Sequence, residues 1–323
     1  MTHHSVIAIV GPTASGKSAM SMRVARQAKQ HGKTVELISM DSALVYRGMD
    51  IGTAKPSAEE MAEVIHHGIN ICEPETPYSA ARFAKDAKKW IGEINDRGNI
   101  PIIVGGTMLY WRALVHGLSD MPPASPEIRD SIEKQAAQLG WAAIHAELMK
   151  VDPITAARLE VNDTQRVQRA LEIFLASGKP MSSWINESPK DTGRHNSEIP
   201  LNFRLISIEP SDRGILHQRI AERFDIMMQQ GFLEEMHLLR KNEALTPELP
   251  SMRAVGYRQA WEYLDGKINL QEFRDQSIAA TRQLAKRQLT WLRGIADREI
   301  FDPLDPIDMD RCEQVCLAHY SII

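Results

Sequence analysis

The scarcities in this 323-residue chain exclude several classes of protein at once. It has three cysteines, Cys72, Cys312 and Cys316, an odd number with no C-x-x-C pair. That spacing gives neither a disulfide framework nor a cysteine zinc site, and it fits the reduced thiols of a cytoplasmic protein. Cys312 and Cys316, four apart on an expected helix, read as buried packing residues. No apolar run approaches the roughly 18 residues of a membrane span. The opening "MTHHSVIAIV" runs straight into an expected strand, with no secretion signal. The formal charge is only −4, which argues against bulk, non-specific attraction to nucleic acid but leaves room for a local basic cleft. His3-His4 and His66-His67 have no partners at metal-ligand spacing, and neither H-E-x-x-H nor G-x-S-x-G occurs. Zinc hydrolases and serine hydrolases are therefore set aside.

What is present is an alternation of strand and helix signals. Apolar runs at Val6–Val10, Val35–Met40, Ile100–Val104 and Phe203–Ile208 read as buried parallel strands. Helical periodicity lies between the early ones, as over Tyr78–Arg97. The pattern predicts an α/β fold with a doubly wound parallel sheet, whose ligands gather beyond the carboxyl ends of the strands. The texture changes after Leu118. "SDMPPASPEIRD" is a proline-rich entry with a helix start after Ser125-Pro126, several helical runs follow, and "SPKDTGRHNSEIP" returns as a polar loop. Residues 1–117 are thus expected to form the first part of the core, 118–200 a helical insertion, and 201–323 the rest. In that last part the sheet is rejoined once, through "FRLISIEP".

The strongest local motif is "GPTASGKS": Gly11, Pro12, Thr13, Ala14, Ser15, Gly16, Lys17 and Ser18. It is G-x-x-x-x-G-K-[ST] in its required setting, after a strand and before a helix. Glycines let successive backbone N–H groups turn inward on an anion, and the following helix adds its positive N-terminal end. Lys17 would neutralise a phosphate, and Ser18 could ligate Mg2+ bridging two phosphates. The loop binds a diphosphate; the motif alone does not make that diphosphate part of a nucleotide.

Asp41 follows directly on the second strand. It could hold magnesium, accept a proton from a substrate amine or hydroxyl, or simply cap a turn. Gly105-Gly106-Thr107 ends the "IPIIV" strand, where two glycines permit close approach of a ligand. No carboxylate ends that strand, so a hydrolase's usual acidic motif is missing. Arg166 and Arg169, and likewise Arg219 and Arg223, share helix faces. In "ATRQLAKRQLTWLRG", Ile278, Ala285, Leu289 and Leu292 form an apolar stripe, with Arg282, Lys286 and Arg293 about 70° around the helix from it. Basic groups bordering a buried face tend to line a cleft, and six basic residues between Arg274 and Arg298 face only Asp275 and Asp297.

Taken together, "GPTASGKS", "MDSALVYRGMDIGTAKP", "GGTMLYWRAL", "NDTQRVQRALEI", "SMRAVGYRQ" and "ATRQLAKRQLTWLR" resemble, in that order and over nearly the whole chain, the bacterial tRNA dimethylallyltransferases. The resemblance implies transfer of a dimethylallyl group from its diphosphate to the exocyclic amine of the adenosine 3′ of the anticodon, in tRNAs that read codons beginning with U. It implies that Gly11 to Ser18 hold the prenyl diphosphate with Mg2+, assisted by Arg219 and Arg223. Asp41 becomes the general base, and Thr107 positions the adenine and the diphosphate. The anticodon stem-loop would meet Asp41, Ser42, Ala43, Leu44 and Thr107, then Arg129, then Gln165, Arg166, Val167, Gln168 and Arg169. It would also meet Arg253, Ala254, Val255, Gly256, Tyr257 and Arg258, together with Arg282, Lys286, Arg287 and Arg293. A monomer without membrane attachment is expected. Two departures stand out: Ala43-Leu44 where many relatives have Arg-Gln, and Met108 where many have Gly. Without the resemblance, a small-molecule nucleotide kinase and a nucleotide-switched RNA-binding protein remain as rival readings.

Overall fold

The computed structural model describes residues 5–117, 121–122, 125–187 and 202–322. Its strands are β1 (Ser5–Val10), β2 (Val35–Met40), β3 (His66–His67), β4 (Ile100–Gly105), β5 (Asn202–Ile208) and β6 (Arg298–Phe301). The helices up to β5 are α1 (Lys17–Gln30), α2 (Ala58–Glu63), α3 (Ala80–Asp96), α4 (Met108–His116), α5 (Pro126–Leu139), α6 (Trp141–Val151), α7 (Pro153–Ala156), α8 (Thr164–Ser177) and α9 (Met181–Glu187). After it come α10 (Arg213–Gln229), α11 (Phe232–Leu239), α12 (Tyr257–Leu264), α13 (Leu270–Arg293) and α14 (Pro306–His319). None of these helices is long and apolar enough to cross a membrane.

The six strands form one parallel sheet in the order β3-β2-β4-β1-β5-β6. The expected α/β doubly wound fold is present. β1 is apolar on both faces because both are covered. Ile7 and Ile9 pack with Val24 and Ala28 of α1 and with Cys312 and Cys316 of α14. Val6, Ala8 and Val10 pack with Phe83 and Ile91 of α3, Leu114 of α4 and Ile220 of α10. This two-sided burial explains runs without alternation.

Two strands escaped the sequence reading. β3 is only two residues long, and its histidines lack an apolar signal. β6 corrects the expectation that the last 120 residues rejoin the sheet once. It pairs with β5 over Leu205–Ile208, but its four residues, "REIF", include two ions. Those ions are paired across the strands, Arg204 with Glu299 at 2.6 Å and Arg298 with Glu209 at 2.8 Å.

The chain divides into two compact units, residues 1–115 with 197–323, and residues 116–196. The second is all-helical among its described residues. Its core gathers Ile132, Ile144, Leu148, Val167 and Leu171, and α5 opens as expected, with Ser125 accepting the Ile128 N–H at 3.3 Å. The polar loop expected over 188–200 and part of the proline-rich entry lie outside the described residues.

Candidate active site

The first crossovers place β1, β4 and β2 side by side, so the loops after Val10, Gly105 and Met40 emerge together at one edge. There the connections leaving the neighbours β1 and β4 run to opposite sides of the sheet, the usual ligand crevice of such folds. A cavity of about 240 Å3 opens there, lined among others by Thr13, Lys17, Ser18, Asp41, Gly105 and Arg223.

Geometry accounts for the glycines. A Cβ at Gly11 would lie 2.5 Å from the Ile208 carbonyl oxygen, and Gly16 has φ 92°, in the left-handed region. α1 begins straight after it with no side-chain cap, so its first N–H groups remain available to an anion. By contrast, α3, α10 and α13 are each capped by Ser, Asp or Asn.

Electrostatics marks the same spot. Burial strips water from the Lys17 ammonium and lowers its pKa to about 8; Asp41 acts in the opposite direction and Arg223 adds to the lowering. Arg223 is also lowered by burial, with Asp41 opposing. One carboxylate thus sits within the field of two desolvated cations, a site built for more negative charge than the protein supplies. Lys17 meanwhile donates to the Pro12 carbonyl at 3.2 Å.

Asp41 is held in place by its own turn, its Oδ1 accepting the Ala43 N–H at 2.8 Å. Thr107 is tied to the same segment, its Oγ1 accepting the Ser42 N–H at 3.1 Å. The base candidate and the threonine are therefore joined through one peptide. Ala43 and Leu44, the first departure, line the cavity directly. Met108, the second, does not; it opens α4, is 4% exposed and packs into the core.

The structure brings some of the other expected residues to the cavity or the surface and buries others. Tyr257, read as an RNA contact, is fully buried, and its hydroxyl donates to Glu235 at 2.5 Å. Arg253 and Arg258 are exposed, and Ala254, Val255 and Gly256 line the cavity. Val167 is core, because α8 turns its apolar face inward. Gln168 is buried and donates to Glu133 at 2.8 Å. Arg169 and Arg129 flank the buried Glu172, at 2.8 and 3.5 Å. Gln165 and Arg166 are exposed. Arg129 and Gln165 to Arg169 all belong to the helical unit. Arg219 does not line the cavity as Arg223 does; it acts on Asp302 instead. On α13, Ile278, Ala285, Leu289 and Leu292 are buried as the stripe requires, while Lys286, Arg287 and Arg293 are exposed. Arg282 is half-buried and donates weakly to the His217 carbonyl at 3.5 Å.

The sequence reading missed three groups. The apolar wall of the cavity, with Ile220, Phe224, Met227, Phe232 and Leu284, comes from helices whose periodicity reads simply as core. Glu235 accepts the N–H groups of Asp50, Ile51 and Gly52 at 2.8, 2.7 and 3.2 Å, and so fixes the entry to "GTAKP", which lines the cavity. Gln288 accepts the Thr13 N–H at 2.8 Å and donates to the Gly106 carbonyl at 3.0 Å. A signal for Gln288 exists: it lies about 40° from Leu292 on the helix, and a polar residue beside a buried stripe needs partners.

Among the described residues no cluster of three or more His, Cys, Asp or Glu could hold a metal. Among the oxygen donors that line the cavity, Ser18 and Asp41 are hard ligands of the kind Mg2+ takes while keeping several oxygens from substrate and water.

Comparison with known proteins shows the family. The sequence profile described as IPP transferase matches residues 44–295. The chain is 56% identical to the tRNA dimethylallyltransferase of Polynucleobacter asymbioticus, over 96% of this chain and 93% of that one. It is 52% identical to that of Burkholderia cenocepacia, over 94% and 91%. Among solved structures, the tRNA isopentenylpyrophosphate transferase of Bacillus halodurans superposes with a TM-score of 0.67 at 36% identity, covering 98% and 97% of the two chains. A eukaryotic dimethylallyltransferase acting on tRNA superposes with a TM-score of 0.75 at 29% identity, covering 97% of this chain and 78% of that one.

Proposed function

The chain belongs to the IPP transferase family, that of the tRNA dimethylallyltransferases, and on that premise we propose that it transfers a dimethylallyl group to the exocyclic amine of the adenosine 3′ of the anticodon, in tRNAs that read codons beginning with U. The donor is dimethylallyl diphosphate. The observation that carries this reading is the composition of one cavity: Lys17, Ser18 and Arg223 for a diphosphate, Phe224, Met227, Phe232 and Leu284 for a small hydrocarbon, and Asp41 beside the cations. A ligand that is half anion and half hydrocarbon matches such a lining.

The adenine amine is a weak nucleophile because its lone pair is delocalised into the ring. Asp41 accepts its proton as the nitrogen bonds to the allylic carbon. The bond from that carbon to the diphosphate oxygen breaks, and the diphosphate leaves carrying the electron pair. The N-terminus of α1, Lys17 and Arg223 stabilise the growing negative charge. Ser18 would hold Mg2+, which when bound supplies further charge neutralisation at the diphosphate. The anticodon loop is single-stranded, so unstacking one base costs only a few kcal/mol. Exposed Lys286, Arg287 and Arg293 favour contact with its phosphates.

The test is label transfer. Radiolabelled dimethylallyl diphosphate, Mg2+ and unmodified tRNA are incubated with the protein. Label should enter the RNA, vanish when the adenosine is replaced by guanosine, and fall by about 10²- to 10⁴-fold in Asp41→Ala. Transfer of the terminal phosphate of ATP to a small acceptor, with no label in RNA, would show a kinase instead.

A further inference from the structure

Gln288 joins the diphosphate loop at Thr13 to the turn after β4 at Gly106. Its orientation is dictated by its partners. The Thr13 N–H can only donate and the Gly106 carbonyl can only accept, so Oε1 faces the former at 2.8 Å and Nε2 the latter at 3.0 Å. The side chain is buried, although the neighbouring Arg287 on α13 is exposed. Gly106 is shaped around it, since a Cβ there would collide with the Gln288 amide nitrogen and come within 2.9 Å of the Gly11 carbonyl oxygen. The next residue, Thr107, accepts the Ser42 N–H at 3.1 Å, and Ser42 follows Asp41. Contacts therefore run without a gap from Thr13 through Gln288, Gly106, Thr107 and Ser42 to Asp41.

Resting on the transferase reading above, we infer that Gln288 is a positioning residue that sets the separation between the leaving-group loop and the amine-activating carboxylate. Its consequence is a choice of nucleophile. When the amine is held against the allylic carbon, the new C–N bond forms as the C–O bond breaks and the proton passes to Asp41. When the two ends of the site drift apart, water takes the amine's place. Its oxygen bonds to the allylic carbon, its proton is lost to solvent, and the products are dimethylallyl alcohol and diphosphate. Misplacement of reacting groups by about 1 Å is enough to lose about 100-fold in rate.

The experiment measures both products, prenylated RNA and labelled alcohol, for wild-type protein and for Gln288→Met and Gln288→Glu. Methionine keeps the length and removes both hydrogen bonds. Glutamate keeps an acceptor for Thr13 but opposes the Gly106 carbonyl with a like partial charge. We expect kcat for RNA transfer to fall at least ~10-fold in both variants, with KM for each substrate within about threefold. The alcohol-to-RNA ratio should rise several-fold. A variant that keeps the wild-type ratio and a kcat within about twofold overturns the inference, even if its melting temperature drops, because a merely structural role changes stability and not partition. If Gln288→Met fails to fold, Gln288→Glu decides by the same ratio. A wild-type protein that labels no RNA refutes the transferase reading, and the inference with it. Normal transfer with unmoved partition in the variants refutes the inference alone.

Discussion

Lys17 shows how burial tunes a single group. Its ammonium loses hydration in the cavity wall, which brings its pKa down to about 8. Below that value the side chain is charged and attracts a diphosphate; as pH rises through it, the charge is lost. Affinity of the free protein for inorganic diphosphate should therefore weaken between roughly pH 7.5 and 9, as measured by calorimetry. Lys17→Arg, whose guanidinium stays charged over that range, should flatten the profile even if its absolute affinity differs. An unchanged slope in that variant would show that some other group titrates. Met108 illustrates the opposite case at the same scale. It departs from the relatives' pattern yet is packed in the core, so its effect on a ligand is indirect, whereas Ala43 and Leu44 meet the cavity.

At the scale of the element, α13 does two jobs through two faces. One face buries Phe273, Ile278, Ala285, Leu289 and Leu292 and carries Gln288 to the loops; the other exposes Lys286, Arg287 and Arg293. Replacing those three cations by alanine should weaken tRNA binding and lower the slope of log affinity against log salt by up to about 2–3, since each phosphate contact releases a counterion. The KM for dimethylallyl diphosphate should hardly move. Filter binding from low to moderate salt checks the slope. The apolar stripe of this helix was legible in the sequence because 100° periodicity is a local property of the chain. The partners of Gln288 were not, since Thr13 and Gly106 lie far away along the chain and meet it only in the fold. The burial of Tyr257 was hidden for a related reason. Its motif "AVGYRQ" is specific to the family, but a motif does not tell which of its residues face a ligand. Here Glu235 draws the phenol inward, between Phe232 and the loop at Gly52.

For the whole molecule, the last strand and helix are integral to the core. Cys312, Cys316 and Leu317 are buried against α1 and β1. The Tyr320 hydroxyl accepts the Ile7 N–H at 2.8 Å and donates to the Pro101 carbonyl at 2.9 Å. Arg23 of α1 pairs with Glu313 and Asp310, both at 2.6 Å. A large buried apolar side chain contributes roughly 1.5–3 kcal/mol, and a domain's net stability is only about 5–15 kcal/mol. A chain ending at residue 296 should therefore lack a cooperative urea transition by circular dichroism. A sharp transition near that of the full chain would show that the sheet is complete without β6.

By itself, the sequence determined the phosphate loop, the four apolar strands, the order of the motifs and the basic flank of α13. Each depends on residues close together in the chain, where spacing, periodicity and the needs of an anion leave few solutions. Only the tertiary structure decided that Asp41, Lys17 and Arg223 share one electrostatic field, that Glu235 holds the loop beside them, and that Gln288 joins the loops after β1 and β4. Those contacts bring side chains of α10, α11 and α13 to loops far away in the chain, which the parallel topology gathers at one edge of the sheet. The same distance hid β6: the stretch after β5 reads as helical, and four residues with two charges become a strand only by pairing with β5, where Arg204 and Glu209 meet the two ions.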